Sequence, residues 1–147
     1  MKYFGEEIYK VIPNRYPLMI LDSLGIYENE GRAEIYLKED MWFFQCHYPD
    51  YPVMPLTLLI ESMTQVFSAI FLAKTAKKEI PLLISIDNIK MKTSAFPGDK
   101  LRLVATLVSF RRGVAKGIVK AFKNEDEQPI CEFEVVEVLP SQMVRVK

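Results

Sequence analysis

Between Leu56 and Ala73 the chain is so densely apolar that polar side chains keep only one narrow track, and this segment organises the reading of everything around it. It follows Pro55, is too long for a strand, and is rich in Leu, Ile, Met, Ala and Phe, which predicts a helix over residues 57–74, about 27 Å long at about 1.5 Å per residue. At about 100° per residue, Thr57, Glu61, Thr64, Gln65 and Ser68 gather on one stripe. Leu58, Leu59, Ile60, Met63, Val66, Phe67, Ile70 and Phe71 cover the rest of the circumference. A helix apolar on most sides must be buried. A membrane span is the poorer reading, because Glu61, Gln65 and the three hydroxyl residues of that stripe are expensive in lipid and no aromatic and basic belt flanks the run.

The pattern on either side of this helix has the period of a strand. Near the start, residues 6–12 suit one or two helical turns that end before Pro13, since a residue preceding proline is pushed out of the α region. Residues 18–27 and 32–38 read as two β-segments around the turn at 28–31. After the helix, residues 81–91, 100–110, 114–123 and 129–139 are each rich in Val, Ile, Leu, Thr or Phe and are separated by turn signals. Of these, Pro97-Gly98-Asp99 is the strongest, because proline presets φ and glycine accepts a positive one. Strands, one long apolar helix and then more strands predict an α+β fold in which an antiparallel sheet curls around the helix.

Composition narrows the function classes. The chain has 147 residues, enough for one self-sufficient domain, and no repeat, low-complexity tract or linker divides it. Residues 1–147 therefore read as a single domain. Nineteen basic and nineteen acidic side chains give no overall field to draw nucleic acid or an anionic membrane. Cys46 and Cys131 lack CxxC spacing and sit in or beside apolar runs, as reduced thiols do. With no apolar leader at the N-terminus, the expected location is cytoplasmic.

Candidate chemistry centres on the only histidine, His47, in a proline-braced segment ahead of the helix, and on Glu61, a lone carboxylate within it. A neutral imidazole is a natural base near pH 7, and a carboxyl desolvated in an apolar helix is a natural acid. Gln65, one turn beyond Glu61, suits either steadying that carboxylate or facing a strand. Asn14, Arg15 and Tyr16 are expected to brace the opening loop. Cys46 reads as a small packing residue pointing away from His47 in an extended loop. One histidine is too few for an ordinary metal site, so no metal is expected.

Three motifs carry a family resemblance. Ile12-Pro-Asn-Arg-Tyr-Pro-Leu-Met-Ile-Leu-Asp22 is the first; Phe44-Gln-Cys-His-Tyr-Pro49, with Pro52, Pro55 and Glu61-Ser-Met-Thr-Gln65, is the second; Phe96-Pro-Gly-Asp99 is the third. In this order they resemble the 3-hydroxyacyl-(acyl carrier protein) dehydratases of the FabZ/FabA type, which have the hotdog fold. The resemblance implies about six antiparallel strands wrapped on the central helix, and a lyase of fatty acid or related acyl-chain biosynthesis that converts a 3-hydroxyacyl thioester to its trans-2-enoyl counterpart. His47 and Glu61 are then the catalytic pair and the backbone N–H of Leu56 the donor to the thioester carbonyl, with Gln65, Tyr48 and Pro55 in support. It further implies a substrate carried on phosphopantetheine, with acyl carrier protein or coenzyme A as carrier and no separate cofactor. The expected assembly is a homodimer with shared active sites, or a trimer of such dimers. Lys90, Lys92, Arg111 and Arg112 are candidate contacts for an acidic carrier. Leu56, Cys46 and Asp50 stand where the family usually has glycine, and Asn14 where it usually has histidine. Those departures define the alternatives, a hotdog protein that binds acyl thioesters with weak or no catalysis, a hetero-oligomer subunit, or a hotdog thioesterase.

Overall fold

Alternate side chains face inward along Lys100–Arg111, Val114–Lys123 and Cys131–Val138, so that Leu101, Leu103, Ala105 and Leu107, then Ala115, Gly117, Val119 and Ala121, then Cys131, Phe133 and Val135 are buried. In the computed structural model, which describes residues 1–75 and 79–142, these three are members of one antiparallel sheet. Its strands are β1 (Lys2–Phe4), β2 (Ser23–Tyr27), β3 (Glu30–Tyr36), β4 (Leu82–Met91), β5 (Lys100–Arg111), β6 (Val114–Lys123) and β7 (Cys131–Val138), in the spatial order β1-β2-β3-β5-β6-β7-β4. A 3-10 turn at Gly5–Lys10, a short helix α1 (Trp42–Cys46) and the long helix α2 (Leu56–Leu72) complete the described elements, with a last 3-10 turn at Pro140–Gln142.

The sheet wraps α2, which packs against β2, β3, β5 and β6. Close approach depends on small residues at the contact. A Cβ built on Gly117 would lie 2.3 Å from both the Phe67 ring and the Thr106 carbonyl oxygen, and one built on Gly31 would lie 3.1 Å from the Val66 carbonyl oxygen and the Ile70 side chain. Phe67 and Ile70 are fully buried there, so the helix sits as near the strands as backbone permits.

The expected α+β architecture is present, and the structure adds to it. β1 is a short seventh strand, paired to β2, that the sequence pattern did not suggest. The predicted segment at 18–27 begins as a strand only at Ser23, because the Arg15 carbonyl accepts the N–H groups of Leu18 and Met19 in a turn around Pro17. Residues 42–46, read as extended, form α1, which turns Phe43 and Phe44 into the core. Cys46 at its end is consequently exposed and is not a packing residue, whereas Cys131 is buried. No helix among the described residues is long and apolar enough to cross a membrane.

β4 departs from alternation. Leu82, Leu83, Ile84 and Ile89 are exposed at 47%, 50%, 60% and 41%, and the strand is last in the sheet, with one edge unpaired.

Gly117→Ala is expected to destabilise the fold by about 2 kcal/mol or more, because the added methyl meets backbone as well as the Phe67 ring. Chemical denaturation of the two proteins checks this; an unchanged midpoint would mean that α2 can lift from β6 freely.

Candidate functional site

Polar residues of α2 converge on one cavity. Glu61, Thr64, Gln65 and Ser68 lie on the stripe foreseen from the helical period, and all four line a cavity of about 140 Å³. Asn14 and Pro13 of the opening loop, Pro81 and Leu83 around the start of β4, and Glu137 of β7 close it from other sides. Within it the Glu61 carboxyl is held from two directions. Asn14 Nδ2 donates to Glu61 Oε1 at 3.3 Å and Gln65 Nε2 donates to the same oxygen at 3.2 Å. Gln65 Nε2 also reaches the Leu18 carbonyl at 3.2 Å, tying α2 to the loop that carries Asn14. Two amide donors on Oε1 leave Oε2 as the oxygen that can exchange a proton. Glu61 itself is half-buried, where the desolvation argument expected a buried carboxyl.

His47 lies elsewhere. It caps α1, its backbone N–H donating to the Phe43 carbonyl at 3.1 Å, and its ring stacks on Tyr48 with centroids 4.1 Å apart. Its Nδ1 is 3.0 Å from the Val53 carbonyl oxygen. A carbonyl only accepts, so Nδ1 carries the hydrogen and Nε2 keeps a lone pair. The ring is therefore oriented as a base through Nε2. His47 does not line the cavity beside Glu61.

α2 starts where the third requirement of the chemistry would be met. Pro55 is its N-cap in an extended conformation, and the Pro55 carbonyl accepts from the N–H groups of Leu58 and Leu59, both at 3.1 Å. No side chain caps this helix. The N–H groups of Leu56 and Thr57 have no intrahelical acceptor and lie at the positive end of the helix dipole. The Leu56 side chain is partly buried and packs against the core. Tyr48 and the exposed Tyr51 lie along the same loop, which is pinned to the body by Met54 N–H donating to the Ala95 carbonyl at 2.9 Å.

Two residues of this region were not found by sequence reasoning. Asn14 touches Glu61 instead of merely bracing the opening loop. Bracing falls to Arg15, which donates to the Ile12, Asn14 and Tyr9 carbonyls and stacks on the Tyr9 ring. The second is Glu137, only 2% exposed. Ser68 Oγ sits 2.5 Å from Glu137 Oε2 and 3.0 Å from the Thr64 carbonyl. Burial pushes the Glu137 carboxyl up to about 7, with the nearby Glu61 charge adding to the rise and the Ser68 bond opposing it. A signal existed: Glu137 is in phase with the inward-facing Cys131, Phe133 and Val135 and out of phase with the outward Glu132 and Glu134.

The four basic candidates do not form one rim. Lys90 is level with Glu132 and through it with Lys120, at the end of the sheet near the 53–54 loop. Arg111 is level with Val114, then Val138, then Leu82. Leu82 and Lys90 are about 25 Å apart along β4, so Arg111 and Arg112 belong to the opposite end. Among the described residues no group of three His, Cys, Asp or Glu is placed to hold a metal ion.

Residues 12–134 match the FabA-like domain family. A 3-hydroxyacyl-[acyl-carrier-protein] dehydratase FabZ of Bacillus pumilus is 38% identical, over 89% of this chain and 92% of that protein. One of the same name from Halalkalibacterium halodurans is 39% identical over 76% and 82%. Among solved structures, the dehydratase heterocomplex ApeI:P from Xenorhabdus doucetiae superposes with a TM-score of 0.78 at 11% identity, covering 90% of each chain, which is a likeness of fold.

Glu137 makes stability depend on pH. Its carboxyl titrates near 7 when folded against an ordinary 4.5. Below pH 4.5 both folded and unfolded chains keep the proton; between the two values only the folded chain does, so stability falls as pH rises through this window. The loss is on the order of 3 kcal/mol at about 1.4 kcal/mol per unit. Urea unfolding at pH 5, 6, 7 and 8 is expected to show this decline in the native protein and a flatter profile in Glu137→Gln; equal slopes would place Glu137 in water.

Proposed function

The chain belongs to the FabA-like domain family and acts as a 3-hydroxyacyl-(acyl carrier protein) dehydratase of fatty acid biosynthesis, and we propose that His47 is its base and Glu61 its acid. The observation that carries this assignment is the convergence of Asn14 and Gln65 on a single oxygen of the cavity-lining Glu61, which leaves the other without an amide donor. His47 Nε2 takes the proton from C2 of the thioester while Glu61 Oε2 gives one to the C3 hydroxyl. The C2–H bond breaks, the C2=C3 double bond forms, the C3–O bond breaks and water leaves. The imidazolium and carboxylate then return to their starting states by proton transfer. As C2 loses its proton, negative charge grows on the thioester oxygen, and the Leu56 N–H at the positive end of α2 is the donor for it.

Because His47 does not line the Glu61 cavity, the working pair comes from two chains. The unpaired edge of β4 and its exposed Leu82, Leu83, Ile84 and Ile89 supply the apolar surface for a second copy. The substrate is carried on phosphopantetheine, and the two side chains meet the acid and base requirements with no further cofactor. Lys90 and Lys92 suit the approach of an acidic carrier, since Lys92 precedes Ala95, whose carbonyl anchors the loop beside His47. Loss of catalysis and a thioesterase role are not favoured: both candidate groups are present and oriented, and the curated relatives are named dehydratases.

Mass spectrometry of a 3-hydroxyacyl-(acyl carrier protein) incubated with the protein is expected to show loss of water to the 2-enoyl form. His47→Ala and Glu61→Gln should each lower turnover by about 10²-fold to 10⁴-fold. Mixing the two dead variants under subunit exchange should restore about a quarter of native activity, since half the random dimers are mixed and each has one of two sites intact. If activity stays at zero in the mixture while the native protein is active, the sites are not shared. Replacing both Lys90 and Lys92 with Glu should raise KM severalfold for carrier-bound substrate at low salt and leave KM for the coenzyme A thioester unchanged.

A further inference from the structure

The opening loop carries Asn14 to Glu61, yet burial does little to hold it in place. Pro13, Arg15, Tyr16, Pro17 and Leu18 are exposed and Asn14 is half-buried, so directed bonds must set where this loop lies. Two consecutive carbonyls of the loop are taken by donors from two different helices. Trp42, the first residue of α1, donates its indole Nε1–H to the Pro17 carbonyl at 3.2 Å, and Gln65 of α2 donates from Nε2 to the Leu18 carbonyl at 3.2 Å. The same Gln65 nitrogen donates to Glu61 Oε1, where Asn14 from the start of the loop donates as well. Trp42 therefore anchors the residue next to the one that holds Gln65, and it stands at the opposite end of α1 from His47.

We propose that Trp42 is a positioning residue for the dehydration: its indole N–H ties the opening loop to the helix that ends at His47, and the loop in turn holds Gln65 and Asn14 on Glu61. This rests on the reading of Glu61 and His47 as acid and base. Gln65 Oε1 has no hydrogen-bond partner among the described residues, so the Leu18 carbonyl and Glu61 are what fix which end of the amide faces the acid. A shift of the loop moves the Leu18 carbonyl and Asn14 Nδ2 together, and the Glu61 carboxyl loses the donors that single out Oε1. The Trp42 ring is well placed to resist such a shift. It meets the ring of the fully buried Phe43 at 86°, with centroids 5.5 Å apart, so it is seated on the core while its nitrogen reaches the loop. Pro17 is exposed and water replaces a lost donor there, so removal of the N–H disturbs placement far more than folding.

Trp42 is the only tryptophan of the chain, so expression in a tryptophan-requiring host fed benzothienylalanine changes this residue alone, putting sulfur in place of the indole N–H at nearly the same shape. With a 3-hydroxyacyl-(acyl carrier protein) as substrate, the sulfur analogue should lower kcat by about tenfold, keep KM within about twofold of native and leave the urea unfolding midpoint unchanged. Fluorotryptophan, which keeps the N–H, should restore kcat. Trp42→Phe should act like the sulfur analogue, and its loss combined with that of Gln65→Met should fall short of the product of the two, because the link works partly through Gln65. An unchanged kcat in the sulfur analogue, a midpoint that falls in step with kcat, or losses from Trp42→Phe and Gln65→Met that simply multiply overturns the inference and leaves the dehydratase reading standing. A native protein that dehydrates no 3-hydroxyacyl thioester overturns both.

Discussion

Covering α2 is the constraint on which the rest of the structure depends. A 17-residue helix with 13 buried residues cannot lie on a flat sheet, because a flat sheet covers only one side of it. The strands must therefore curl, and the curl must be tight. Gly117 and Gly31 allow it, by removing side chains where the strands meet the Phe67, Val66 and Ile70 positions of the helix. Hydrophobic burial thus draws the sheet round α2 until only the polar stripe lacks an apolar cover. The opening loop, the start of β4 and the end of β7 meet along that stripe.

The same constraint explains why the polar groups there are so poorly satisfied. Ser62 Oγ, Gln65 Oε1 and Glu137 Oε1 are buried with no hydrogen-bond partner among the described residues, and all three lie on α2 or against its stripe. An apolar residue at these positions would pack with less cost. Retaining amides and carboxyls in such a place sacrifices stability. Glu137 is the clearest instance, since burial and the nearby Glu61 charge both oppose its ionisation. In Glu61 and His47 the free capacity is directed: neighbouring groups occupy one acceptor oxygen of the first and one nitrogen of the second, so the remaining atom of each is the one that can move a proton.

Leu56, where a glycine is usual in the family, does not obstruct this arrangement in the single chain. Its backbone is an ordinary first helical residue and its side chain joins the core. The backbone N–H is a property of every residue except proline, so leucine keeps the N–H group that glycine would have.

Much of the fold and part of the site were legible in the sequence because they rest on local periods. The 3.6-residue spacing of Glu61, Gln65 and Ser68 and the two-residue alternation of β5, β6 and β7 need no knowledge of distant contacts. Short elements were not legible. α1 has too few residues for a periodic signal, and β1 is a strand only because β2 lies beside it. Asn14 was misjudged because its partner Glu61 is 47 positions away, and Glu137 because a carboxylate near the end of an acidic strand looks solvated until the helix is placed over it. By itself, then, the sequence determined the buried helix, the curling antiparallel sheet and the identity of the acid and base candidates, all set by patterns within one element. Only the tertiary structure decided that His47 stands outside the cavity that Glu61 lines, that Lys90 and Arg111 lie at opposite ends of the sheet, and that Glu137 enters the cavity. Those facts depend on strand register and on which sides of α2 remain uncovered, and register is fixed by packing across the whole sheet.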